Sequence, residues 1–140
     1  MSKSKIPAIA FDATGVIYRG ISPLPHAKEA FAKLRKHNIP YCVLTNAGGS
    51  LEWERADLFN YYLGIENCFT EQNMVQANTP MKGIMRERIK NGSKNEISII
   101  TGKLGIHKSV DYYTKELKYL SIEEMSILYP DIVPLTHRAK

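Results

Sequence analysis

Residues 6–20, IPAIAFDATGVIYRG, do most to limit what this chain can become. A short apolar run (Ile6, Ala8, Ile9, Ala10, Phe11) ends on an aspartate and breaks at Gly15. A buried strand of this kind delivers Asp12 to the carboxyl edge of a sheet, and Gly15 lets the chain turn sharply away. In open α/β sheets that edge is where ligands bind. A strand-terminal aspartate also commonly does no more than cap a loop, so Asp12 alone assigns nothing.

The rest of the chain alternates in the same manner. Pro23 and Pro25 stiffen the approach to a helix near His26–Lys36, whose Ala27, Ala30, Phe31 and Leu34 form one apolar stripe. Asn38 suits a left-handed stop. Ile39–Thr45 (IPYCVLT) is a second buried strand, and it ends in the polar loop Asn46-Ala47-Gly48-Gly49. Ser50 can cap the next helix, with Leu51, Leu58, Phe59 and Tyr62 as its inner face and Gly64 as its end. Glu71–Asn78 fits no single period.

Thr79-Pro80 then opens a helix through Lys90, with Met81, Ile84, Met85 and Ile89 inward, and Asn91-Gly92 closes it. Glu96–Thr101 supplies a third strand. The loop Gly102–Gly105 leads to a helix from about Ser109 to Leu117, and Ser121 with Glu124 makes a capping box for a last helix that Pro130 ends. Strands alternating with helices imply right-handed βαβ units, a parallel sheet and one domain over residues 1–140.

Several chemistries drop out. The net charge is +5, but Lys and Arg are scattered among Glu with no dense basic block, so nucleic acid is not an expected partner. Gly102-Lys103 is not a P-loop, since Ile97 stands where the upstream glycine is needed. His26, His37, His107 and His137 are isolated, and Cys42 and Cys68 lack ligand spacing, which argues against zinc and for thiols in a reducing compartment. There is no GxSxG elbow. No apolar stretch is long enough for a transmembrane segment. MSKSK carries no visible presequence, which makes a cytoplasmic location one expectation.

What remains is a pair of loops. Asp12-Ala13-Thr14-Gly15 ends the first strand and Thr45-Asn46 ends the second. Adjacent parallel strands would bring the two side by side. A carboxylate nucleophile beside a hydroxyl and loop amides suits a phosphoryl group.

FDATGVIYRG, then PLPHAKEAFAKL, then YCVLTNAGGS, resemble the haloacid dehalogenase superfamily of aspartate-nucleophile phosphatases. The spacing is similar to its class IIA branch, which includes the nagD-like phosphatases. TNAGGS, NTPMKG and TGKLG resemble the cat eye syndrome critical region protein 5-like family in particular. The resemblance implies a three-layer α/β/α Rossmannoid core, of which this chain would supply a half with a three-stranded parallel sheet. It implies Asp12 as the nucleophile that forms an aspartyl-phosphate. Mg²⁺ would be the cofactor, held by the Asp12 carboxylate and the Thr14 backbone carbonyl. Thr45, with Asn46 beside it, would bind the phosphate. The closest-looking family is associated with mitochondria, which sets a mitochondrial location against the cytoplasmic one.

Two departures bear on catalysis. The family's phosphatases carry a second aspartate two residues after the nucleophile, as general acid and then base, and here that position is Thr14. Loss of a placed acid–base group costs roughly 10²–10⁴-fold in rate. P-type ATPases also have threonine there, and their acyl-phosphate lives longer. The third-motif cation and fourth-motif acids should follow a cap domain, and the chain reaches Lys140 first, so cap and last core strands are expected to be missing. The first strand would then be an exposed edge, open to pairing with other protein chains. The expectation is a catalytically impaired pseudoenzyme that serves as a subunit of a larger assembly. The alternatives are a Mg²⁺-dependent phosphomonoester hydrolase or phosphoryl-transfer enzyme using Asp12, or an N-terminal fragment of one.

Overall fold

The computed structural model describes residues 7–92, 96–101 and 104–132. Ile6, the pair Gly102-Lys103 and His137, all weighed above, lie outside the described residues. In chain order the elements are β1 (Ile9–Phe11), β2 (Tyr18–Arg19), β3 (Ser22–Pro23), α1 (Ala27–Lys36), β4 (Tyr41–Leu44) and α2 (Glu52–Leu63). They continue with β5 (Met74–Val75), α3 (Met81–Asn91), β6 (Ser98–Ile100), α4 (Leu104–Tyr113), β7 (Tyr119–Ser121) and α5 (Ile122–Leu128). They fall into two compact units, one from Met1–Ala47 and Glu52–Thr79, the other from Gly48–Leu51 and Pro80–Lys140.

The first unit holds the expected three-stranded parallel sheet, in the order β1-β4-β5. Ile9 pairs with Tyr41 and Phe11 with Val43, while Val43 pairs with Met74. Alternation along each strand sends Phe11, Tyr41, Val43 and Met74 to one face. There Phe31 of α1 sits with ring centroids 5.1 Å from Phe11, 5.3 Å from Tyr41 and 4.8 Å from Phe69. Phe59 of α2 closes the cluster at 5.5 Å from Phe69. Burying each such ring stabilises the unit by about 1.5–3 kcal/mol. On the opposite face Ala10 and Leu44 are exposed and Cys42 is half-buried.

The third strand is not the expected one. Residues 96–101 do contain a strand, but β6 pairs in parallel with β7 in a separate two-stranded sheet of the second unit. The place beside β4 goes to Met74–Val75, inside the stretch that showed no period. That segment is set by polar side chains. Asn60 of α2 accepts from the Cys68 and Phe69 amides at 3.1 and 2.9 Å and donates to the Phe69 carbonyl. Thr70 and Asn73 then form a capping box over one short turn that leads into β5.

Smaller differences have similar causes. The β2–β3 hairpin turns at Gly20, where φ is +61°, and precedes α1 in place of a plain proline-stiffened approach. Asn38 takes the expected left-handed conformation, with φ at 51°. In α2 the buried residues are Glu52, Ala56, Phe59 and Leu63, and Leu58 faces outward, because Glu52 turns in to meet a hydroxyl. In α3 only Met85 is buried and Ile84 is exposed. Helix α4 starts earlier than Ser109 because Ile106, Val110 and Tyr113 supply its packed stripe. The Ser121–Glu124 capping box forms as expected, and the Ser121 amide and hydroxyl hold the Glu124 carboxyl below its usual range.

Tyr41 and Cys68 make the one polar contact of note against the aromatic cluster. The phenol donates its single hydrogen to the Cys68 carbonyl at 2.6 Å, which leaves the thiol to donate back across 3.1 Å. Burial pushes both groups up, and the neighbouring Cys68 adds to the rise at Tyr41 while the Tyr41 hydroxyl partly offsets it at Cys68. The unfolded chain therefore releases these protons first. Their contribution to stability is whole below the ordinary thiol value of about 8.5 and falls as pH rises past it and past the phenol's value of about 10. Urea midpoints measured from pH 8 to 11 are expected to fall in the native protein and to fall less steeply in Tyr41→Phe/Cys68→Ala. Equal slopes would contradict this assignment.

Candidate functional site

Strand β1 ends one residue before Asp12, and β4 ends one residue before Thr45. Because the strands are parallel and Phe11 lies opposite Val43, both residues emerge at the same carboxyl rim on neighbouring strands. Asp12 is exposed there, and its Oδ1 accepts from the Ala13 amide at 2.7 Å. Ala13 is fully buried, and its carbonyl accepts from the Ile17 and Tyr18 amides at 2.9 and 3.2 Å. Gly15, at φ +84°, makes the return possible, and its amide donates to the Tyr18 carbonyl. The result is a tight loop with Asp12 and Thr14 on its outside.

The second loop is held from within. Thr45 is buried, with its amide donating to the Val75 carbonyl at 2.9 Å and its Oγ1 accepting from the Ala47 amide at 3.2 Å. Ala47 in turn accepts from the Ala77 amide. Asn46 between them is exposed. The rim thus carries one carboxylate, two threonines and an amide side chain.

A second polar group involves residues that the sequence suggested for other tasks: Glu52 suits a helix dipole and Thr79 an N-cap, but Pro80 precedes α3 with no side-chain cap and the Thr79 hydroxyl turns to Glu52 instead. Glu52, Gln76 and Asn78 are each 2% exposed. The Thr79 hydroxyl donates to Glu52 Oε1 at 2.7 Å and accepts from the Gln76 amide at 2.8 Å. Arg55 Nε donates to Gln76 Oε1 at 3.2 Å. The signal that could have found Gln76, Asn78 and Thr79 is three polar residues among the four that directly follow β5; nothing of the kind marks Glu52.

The fit of a metal ion is limited. Asp12 and the Thr14 carbonyl offer two oxygens, and among the described residues no three His, Cys, Asp or Glu side chains gather into a ligand group. Mg²⁺ demands near-octahedral oxygen coordination. The described residues do not make such a site by themselves.

A parallel α/β sheet flanked by helices, with an aspartate at its carboxyl rim, defines a Rossmannoid domain. Residues 9–113 match the haloacid dehalogenase-like hydrolases, and the chain belongs to that family. A mitochondrial hydrolase of Saccharomyces cerevisiae is 34% identical over 84 residues, which are 60% of this chain and 23% of that protein.

Three solved structures share the fold. A hypothetical protein from Pyrococcus horikoshii OT3 has a TM-score of 0.63 at 23% identity, over 84% of this chain and 41% of its own. NagD from E. coli K-12 has a TM-score of 0.58 at 16% identity, over 82% of this chain and 42% of its own. The glycerol phosphate phosphatase Rv1692 from Mycobacterium tuberculosis, solved with magnesium, has a TM-score of 0.58 at 16% identity, over 81% and 31%. At these identities the likeness is one of fold. The match covers less than half of each of these structures and under a quarter of the yeast protein.

Proposed function

We propose that this chain carries the nucleophile half of a phosphomonoester-processing site and turns over slowly by itself. The observation that carries the reading is the parallel register that sets Asp12 and Thr45 at one rim. An Asp12 carboxylate oxygen would attack phosphorus, the bond from phosphorus to the ester oxygen would break, and water would then attack the acyl-phosphate to release inorganic phosphate. Thr45 and the amides around Asn46 would receive the phosphoryl oxygens. Thr14 is the weak point. Its hydroxyl does not ionise near neutrality, so the leaving oxygen must draw its proton from solvent. Mg²⁺ use is part of the reading, supported by the magnesium-bound relative in fold, with the remaining ligands supplied from outside the described residues. So is a mitochondrial location, supported by the name of the yeast relative.

We also propose that other protein pairs with β1. What supports this is its place at the end of the sheet order, with exposed Ala10 on its open face and exposed Leu44 on the neighbouring strand. Such a partner would make the chain a subunit or half-site and not a free-standing catalyst.

Both readings have direct tests. With an aryl phosphate and Mg²⁺, the purified chain is expected to gain the mass of one phosphoryl group on Asp12 while releasing phosphate slowly. Thr14→Asp is expected to raise turnover by about 10²-fold or more, and Asp12→Asn to remove both signals. Phosphate release that survives Asp12→Asn would overturn the nucleophile assignment. For the pairing, sizing is expected to give oligomers, whereas a well-behaved monomer would remove it.

A further inference from the structure

The buried polar group has no role in the reading above, yet it is joined to the Thr45–Ala47 loop through the Ala77 amide. Thr79 joins Glu52 of α2 to the Gln76 amide. The Thr79 amide also donates to the Gln76 carbonyl at 3.1 Å, which folds residues 76–79 into a compact turn. From that turn the Ala77 amide reaches the Ala47 carbonyl at 3.3 Å, and Ala47 holds Thr45 Oγ1. The chain Glu52–Thr79–Gln76–Ala77–Ala47–Thr45 thus runs from the first turn of α2, through the residues after β5, to the loop after β4.

The position of Glu52 is costly if packing were its only purpose. An aliphatic side chain of similar volume would bury apolar surface at no desolvation penalty, whereas a carboxylate needs its hydrogen bonds to be tolerated there. A carboxylate fixes a direction that a leucine cannot, because its acceptor lone pairs orient the Thr79 hydroxyl. That hydroxyl then presents a lone pair to the Gln76 amide. The bond therefore sets the backbone path of 76–79, and through the Ala77 contact the path of 45–47.

We propose that Glu52 and Thr79 are positioning residues for the Thr45–Ala47 loop, fixing it in the conformation that receives a phosphoryl group. The second half of this statement rests on the phosphate reading above; the first half does not. Neither residue touches substrate. Their effect is to keep the loop amides and the Thr45 side chain pre-aligned, so that binding an anion does not have to order them.

The test uses the ¹⁵N-labelled chain and inorganic phosphate as the probe. In the native protein, hydrogen exchange at the Ala47 and Ala77 amides is expected to be slowed along with the Ile9 amide, which donates to Pro40 in the β1–β4 ladder. Thr79→Val is expected to speed exchange at Ala47 and Ala77 by about tenfold with Ile9 unchanged, and to weaken phosphate binding by about tenfold. Thr79→Ser and Glu52→Gln each keep the needed donor or acceptor and are expected to stay near native in both readouts.

Equal acceleration at Ile9 would mean a merely structural role and would overturn the proposal. So would unprotected Ala47 and Ala77 amides in the native protein, a result that needs no folded variant. Native protection lost locally in Thr79→Val, with no phosphate binding in the native chain, would uphold the brace and overturn its link to phosphate.

Discussion

The parallel pairing of β1 with β4 is the constraint on which the first unit turns. Once Phe11 lies beside Val43, both strands run out at the same edge, β1 at Phe11 and β4 one residue further on at Leu44, whatever their loops do afterwards. The pairing is itself enforced from one face. Phe31 packs against Phe11 and Tyr41, so α1 bridges both strands, and a slip of β1 by one residue would turn Phe11 away from the aromatic cluster. Register, core and site therefore stand on one set of contacts.

The loops add local precision of two different kinds. Around Asp12 the geometry is made by backbone alone: the Ala13 carbonyl gathers the following amides, and Gly15 takes a positive φ. Around Thr45 it is made by buried polar side chains that reach across from α2 and from the residues after β5. If Asp12 is the nucleophile proposed above, an exposed carboxylate on a backbone-made loop would stand beside a loop already fixed by buried polar contacts, and little reorganisation would be needed to accept charge. What the described residues do not bring together is a carboxylate cluster for a metal ion or an acid at position 14.

The parts legible in the sequence were those governed by apolar period and backbone freedom. β1, β4 and α1 follow from their hydrophobic spacing, and Gly15, Asn38 and Gly64 mark three of the turns at which φ is positive. The third core strand was illegible for a physical reason. Met74–Val75 is too short to show alternation, and side chain-to-backbone bonds from Asn60 and Asn73 place it. The stronger signal at Ile97, Ile99 and Ile100 named a strand correctly and its sheet wrongly, because propensity carries no information about partners. Glu52 was missed for the converse reason: a glutamate in a first helical turn reads as a dipole-matched surface residue unless its acceptor role is known.

Core and rim alike require β1 and β4 to be nearest neighbours in parallel register. Nuclear Overhauser contacts between backbone protons test it most directly. Cross-strand contacts joining Ile9 with Tyr41 and Phe11 with Val43 are expected. Contacts that pair β1 with residues 98–100 instead would contradict it, and would separate Asp12 from Thr45.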